Sequence, residues 1–344
     1  SFLLTDHPAS DAPVMVFTGD FVFVGDIGRP DLLEKAAGLV GTQEIGAKQM
    51  YESLQLFADL PEYVQVWPAH GAGSACGKAL GAVPNSTVGY EKIRNWAFQF
   101  GEDKEGFIEE LLTGQPEPPK YFAMMKHLNK VKRPLLVQVP RHPKLSNADF
   151  LEAYKNGLKI IDTREKTKFA EAHIPGSINI QANNSFNTWA GWFLDYNEQF
   201  VLVVEEDKVE DVTRKLMRVG LDNVYGYIVD PSELGIELEQ SRILSDHNAF
   251  KKFYDAQSVT IVDVRNVSEF DAGHIDTAKH VFLGTIEENL DQIPKDTNVI
   301  IHCQSGDRSA IAYSILKKNG YTNILNYTGG IKDWMEMGQP VCSR

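Results

Sequence analysis

Cysteine is nearly absent: Cys76, Cys303 and Cys342 stand far apart in 344 residues. Three thiols cannot make a disulfide framework and fit a reducing compartment, so a cytoplasmic location is expected. No run approaches the roughly 20 apolar residues that a membrane span needs, which excludes a transmembrane helix. Positive charge is short as well, since 34 Lys and Arg against 47 Asp and Glu leave a net charge of -13. A general polyanion partner such as nucleic acid is thereby excluded, while small anions can still bind locally. No two of the nine histidines flank a single residue, so the chain has no His-x-His metal pair. An initiator Met and a leader are missing too: "SFLLTDHPASDAPVMVFTGDFVFVGD" enters strand-like runs at once and reads as a chain that begins inside a domain.

What is present is ordinary globular composition, 43% hydrophobic and 24% charged, in a length that suggests two or three domains. Two stretches match each other. "IIDTREKTKFAEAHI" (160–174) and "IVDVRNVSEFDAGHI" (261–275) share Asp, Arg, Phe, His and Ile at an offset of 101 residues. Further on, "VLVVE" then "VGLDNV" echoes "VIIHC" then "NGYTNI". The order strand, Asp-x-Arg turn, helix, strand, loop and helix recurs, which predicts a duplicated α/β domain of roughly 100 residues. Ahead of it, 114–144 is rich in proline, and Lys120 to Lys144 holds seven basic residues and no acidic one, the pattern of an irregular connector. Residues 1–113 alternate β-rich runs with helical stretches and form a separate α/β or α+β unit. The expected division is 1–140 for that unit with its linker, 141–240 for the first repeat and 241–344 for the second.

"HCQSGDRSAIA" (302–312) carries the clearest chemistry. "NVIIHC" predicts a buried strand and "SAIAYSILKKNG" an amphipathic helix closed by Gly320. Between them lies a six-residue loop, Cys303, Gln304, Ser305, Gly306, Asp307 and Arg308. The following helix turns unpaired N–H groups and its positive end toward the sulfur, and Arg308 adds a full charge. Both favour the thiolate, which is the nucleophile. Gly306 lets the loop curl into an anion nest.

This segment resembles the rhodanese (sulfurtransferase) family, from Asp263, Arg265, Glu269 and "GHI" through the loop to "TGGIKDW" (328–334). The resemblance implies that Cys303 accepts a sulfane sulfur as Cys-S-SH and passes it to a thiol or cyanide, with Asp263, Arg265 and Glu269 in structural roles. The middle repeat resembles the same family without its cysteine: "VLVVEEDKVEDVTRKL" (201–216) puts Glu205 at the expected thiol position, in a segment two residues shorter. It is expected to be inactive. Its aromatic-rich "NNSFNTWAGWF" (183–193) is expected to fill core, or else to pack on a neighbour.

In the first unit, "TGD", "VGDIGRPDL" and "PAHGAGS" resemble the second half of the metallo-β-lactamase αββα fold, in particular its persulfide dioxygenase branch. "PEPPKYF" (116–122) is similar to that branch's tail. The resemblance implies one Fe(II) per complete domain, with Asp20 matching the aspartate ligand and His70 a second-metal or pocket histidine. The remaining histidine motif is absent from this chain. Cys76, six residues after His70, is either a packing residue or a sulfur-relay thiol. The whole order resembles fused persulfide dioxygenase and sulfurtransferase proteins of bacterial sulfide detoxification. It implies a low-molecular-weight thiol persulfide, O2 and sulfite or thiosulfate as partners, in a homo-oligomer. A zinc-dependent thioester hydrolase and a metal-free sulfur carrier are the alternatives.

Overall fold

The computed structural model describes residues 1–32, 34, 41–69, 83–115, 117–133 and 136–344. They fall into two units, Ser1–Pro118 and Pro119–Arg344. In the first, the run "PVMVFTG" becomes β2 (Pro13–Gly19), paired antiparallel with β1 (Phe2–Thr5). A tight hairpin of β3 (Val22–Phe23) and β4 (Asp26–Ile27) follows. After α1 (Thr42–Ala58), β5 (Gln65–Pro68) pairs parallel with β2 and antiparallel with β6 (Ser86–Thr87), giving the order β1-β2-β5-β6. α2 (Val88–Arg94) is capped by the Thr87 hydroxyl, which accepts from the Tyr90 N–H, and α3 (Lys104–Leu112) by Asp103. α1 and α3 close over Val16, Val22, Ile27, Leu54, Phe57, Val66, Phe107 and Leu111.

The second unit opens with a correction. The supposed irregular connector contains α4 (Tyr121–Lys130), whose Tyr121 ring lies against Gly191 and whose Met125 and Leu128 lie against Gly220. Apolar contact with the repeat behind it makes this basic stretch helical despite the flanking prolines. The middle repeat then runs α5 (Asn147–Lys155), β7 (Lys159–Asp162), α6 (Lys166–Glu171), β8 (Ile178–Asn179), α7 (Phe186–Phe193), β9 (Phe200–Val203), α8 (Val209–Arg218) and β10 (Val224–Ile228). The last repeat runs β11 (Ile243–Leu244), α9 (His247–Asp255), β12 (Thr260–Asp263), α10 (Val267–Ala272), β13 (Lys279–His280), β14 (Val299–His302), α11 (Asp307–Lys318), β15 (Ile324–Tyr327) and α12 (Gly330–Glu336). Their sheets, β10-β9-β7-β8 and β11-β15-β14-β12-β13, are parallel throughout. Strands such as "FVLV" and "VIIH" are buried on both faces, as parallel sheets between helices require.

The duplication extends to side chains. Arg164 forks onto Asp162 and the Ala172 carbonyl, as Arg265 does onto Asp263 and the Gly273 carbonyl. Phe169 stacks on His173 at 3.9 Å between centroids, and Phe270 on His274 at 3.8 Å. One core joins the repeats, running from Ile178, Trp192 and Leu216 to Val262, Leu283, Ile311 and Leu316.

Candidate functional site: the Cys303 loop

β14 delivers Cys303 to the end of a fully buried strand, and α11 begins four residues later at Asp307. The sulfur is 1% exposed as a residue, and it accepts the Gly306 N–H at 3.2 Å and the Ser309 hydroxyl at 3.5 Å. The loop carbonyls face elsewhere. Those of Cys303 and Gln304 accept from the Ile331 and Lys332 N–H groups of α12, at 2.9 and 3.2 Å. With its acceptors held by α12, the loop is left to present N–H groups to a negative sulfur. Gly330 makes this seat possible: at φ 66 it lies so close that a Cβ there would be 2.5 Å from both carbonyl oxygens.

Arg308 differs from expectation. Its guanidinium is forked onto Glu269, at 2.5 and 2.7 Å, so its charge is already met. Burial alone would lower its pKa, but the Glu269 hydrogen bonds and the nearby Cys303 sulfur hold it above the usual value. Burial likewise pushes the Glu269 carboxyl up and is outweighed by Arg308, leaving it below the ordinary range. Glu269 also closes a capping box with Asn266 at the start of α10. One turn thus ties the first loop to the active loop. Beneath it, Asp263 and Arg265 form a buried ion pair at 2.7 Å, with fully buried His302 at 3.7 Å. Burial holds the His302 imidazole below its usual pKa, and it stays neutral.

Above the sulfur is a cavity of about 310 Å³, lined on one side by Cys303, Gln304, Ser305, Asp307, Arg308 and Ile311. The other side comes from the middle repeat: Ile180, Gln181, Asn183, Ser185, Thr188 and Trp189. The aromatic-rich insert is therefore more than core filling, since α7 buries Phe186 and Trp192 while turning Thr188 and Trp189 to the cavity. Sequence reasoning missed these wall residues, and also Lys166, which pairs with Asp307 at 2.5 Å.

The middle repeat's own loop needs a second correction. The Thr163 N–H donates to Val203 as the Val264 N–H donates to His302, so the residue matching Cys303 is Val204, not Glu205. Val204 is fully buried, and Glu205 turns outward to Lys168 and Lys208.

In the first unit Asp20 occupies the exposed turn after β2, and the Ala69 N–H at the end of β5 donates to the Gly19 carbonyl at 3.1 Å. The ends of two parallel strands thus bring the residue before Asp20 beside the residue before His70. His70 and Cys76 lie outside the described residues. Behind the turn, Arg29 forks onto Asp31 in a pair whose side chains are 1% and 2% exposed, and Asp26 accepts from Trp96 Nε1 at 2.7 Å. Among the described residues no group of three or more His, Cys, Asp or Glu could hold a metal ion. They do not amount to an iron or zinc site. Cys342 is exposed, and no helix among the described residues is long and apolar enough to cross a membrane.

A thiol at the end of a parallel strand, under amides of the following helix, defines an α/β protein built around a strand-to-helix cysteine loop. A rhodanese-like domain model matches residues 146–228 and 246–337, half of the chain. The chain belongs to the rhodanese-like family and carries two such domains in tandem. The putative sulfur carrier protein YrkF of Bacillus subtilis (strain 168) is 34% identical over 177 residues, 52% of this chain and 89% of that protein. A sulfurtransferase of Allochromatium vinosum is 36% identical over 91 residues, 26% of this chain and 85% of the relative. Among solved structures, a metallo-beta-lactamase from Staphylococcus aureus subsp. aureus COL aligns with a TM-score of 0.56 and 40% identity, over 66% of this chain. The chain spans 62% of that protein's length. The fold is accordingly a mixed α/β one with a metallo-β-lactamase neighbour and two rhodanese-like domains.

Proposed function

We propose that Cys303 carries sulfane sulfur between a low-molecular-weight thiol persulfide and sulfite. The observation that carries this reading is the buried sulfur held by the Gly306 N–H at the floor of a cavity, with the loop carbonyls bonded away to α12. In the first half-reaction the Cys303 thiolate attacks the outer sulfur of RS-SH. The donor's S–S bond breaks, RS⁻ leaves with the electron pair, and Cys303-S-SH remains. In the second, a sulfite lone pair attacks the outer sulfur, the Cys303 S–S bond breaks, and thiosulfate departs with the thiolate restored. A proton passes from the persulfide to solvent or to RS⁻. No outside oxidant is needed, and both half-reactions run in reverse from thiosulfate. The loop N–H groups favour the anionic sulfur at each stage.

The test is peptide mass spectrometry after incubation with thiosulfate, together with thiocyanate formation from cyanide. Addition of one sulfur to the Cys303 peptide and loss of thiocyanate in Cys303→Ser are expected. Full activity in Cys303→Ser would overturn the reading. The Bacillus relative's name, a putative sulfur carrier protein, favours a second reading, a sulfur carrier, which we would test as one that hands its sulfur to another protein. Transfer to a protein with negligible turnover on sulfite and cyanide would select it.

We further propose oxidation of the thiol persulfide by O2 to sulfite, at an iron to which the first unit would contribute Asp20. The motif "GDIGRPD" and the Asp20 turn support it. About one iron per chain is the expected metal content, and two zincs would point to a hydrolase instead.

A further inference from the structure

The middle repeat has no thiol, yet it stands against the active loop with a cation. Lys166 opens α6, and its ammonium reaches Asp307 Oδ1 of the loop at 2.5 Å, across 141 residues of sequence. Asn183 donates to the other oxygen, Oδ2, at 3.2 Å. The Lys166 stem rests over the loop as well: its Cε lies 3.2 Å from where a Cβ on Gly306 would be.

Among the described residues, Asp307 and Arg308 are the two charged ones that line the cavity. Arg308 is neutralised from within its own repeat by Glu269, whereas among the described residues Asp307 finds its ion-pair partner, Lys166, and a hydrogen bond from Asn183 in the other repeat. A carboxylate on the wall of a cavity whose sulfur must be anionic would oppose both the thiolate and an incoming anionic donor. We infer that Lys166 is a positioning residue for sulfur transfer: it pins and neutralises Asp307, so that the thiol-free repeat completes the reactive site of its neighbour. This rests on Cys303 being the sulfur carrier.

The charged and titratable groups around Cys303 from each packed element are His302 on β14, Asp263 with Arg265 after β12, Glu269 on α10, Asp307 with Arg308 on α11, Lys332 on α12, and Lys166 on α6. His302 is buried and neutral, and the other groups near the sulfur are paired. Removing Lys166 therefore exposes the sulfur to one new unbalanced charge, that of Asp307.

The test is the pH dependence of iodoacetamide alkylation at Cys303, read peptide by peptide so that Cys76 and Cys342 do not contribute. In Lys166→Met the midpoint of the alkylation profile should move to higher pH, and the KM for thiosulfate should rise more than kcat falls. Lys166→Arg should track the parent protein. In Lys166→Met with Asp307→Asn the profile should return to that of the parent, because no carboxylate remains to neutralise. A merely structural lysine predicts otherwise: a lower unfolding midpoint, an unmoved alkylation profile and no rescue by Asp307→Asn. An alkylation profile for Lys166→Met superimposed on the parent's, or a shift that survives Asp307→Asn, would overturn the inference. Alkylation needs no turnover, so this result is separate from the Cys303→Ser test of the function itself.

Discussion

Position 303 holds a thiol where the matching position 204 holds a buried valine, and the side chains around each follow from that difference. With no anion to cradle, the middle repeat places Glu205 just past Val204. Hydrogen bonds from Lys168 and Lys208 hold its carboxyl down to about 2, against a weaker upward push from burial. A depressed carboxylate stabilises the fold above the unfolded glutamate value of about 4.3 and loses that contribution as pH falls through the folded value. Glu205→Gln should therefore cost up to about 1 kcal/mol at neutral pH. The difference from the parent, followed by urea unfolding at a series of pH values, should narrow as pH falls from about 4 toward about 2. The buried pair under the active loop is costlier to break. Arg265→Met leaves Asp263 uncompensated, with side chains that were 5% and 0% exposed. A loss of about 3–5 kcal/mol in urea unfolding is expected.

Among the elements, α12 decides whether the loop can present N–H groups, because it takes up the Cys303 and Gln304 carbonyls. Gly330→Ala combines a left-handed backbone with a Cβ 2.5 Å from those oxygens. It should cost at least the roughly 1–2 kcal/mol of a left-handed non-glycine residue and lower thiocyanate formation, as seen by denaturation and by sulfurtransferase assay. That "TGGIKDW" matters was legible in the sequence; how it matters was not. The loop, the strand before it and the helix after it are local in sequence, so periodicity, Gly306 and the cysteine sufficed to read them. The repeat was legible because Asp162, Arg164, Phe169 and His173 recur with their partners. The cavity wall was not, because Asn183 and Trp189 meet Cys303 across more than a hundred residues, and α7 shows its aromatic face without its destination. Val204 was misjudged for a related reason: strand register is fixed by pairing to β7, whereas alignment by apolar run alone slides by one residue. α4 was hidden behind prolines and charge, and it forms because Tyr121, Met125 and Leu128 find partners on the middle repeat.

At the scale of the molecule, residues 119–344 behave as one unit because the two repeats share a core. Trp192 of the middle repeat meets Phe282 of the last edge to face, at 5.6 Å and 83°, and the Asn179 N–H donates to the Ser314 hydroxyl on α11. Trp192→Ala should cost about 3–5 kcal/mol, and hydrogen exchange should show protection falling together in β9 and β14. Retained protection in β14 would mean that the repeats unfold separately. The same intimacy bears on why a thiol-free repeat is kept: it supplies half of the cavity, and the neutralising lysine with it. The proposed joining of persulfide oxidation to this site in one chain would raise the local concentration of sulfite at the Cys303 persulfide. In protein that holds the proposed iron, Cys303→Ser should then abolish thiosulfate formation from thiol persulfide while leaving O2 uptake unchanged, with free sulfite accumulating in its place. Thiosulfate at the parent rate in that variant would mean that the two activities share a chain without sharing a product.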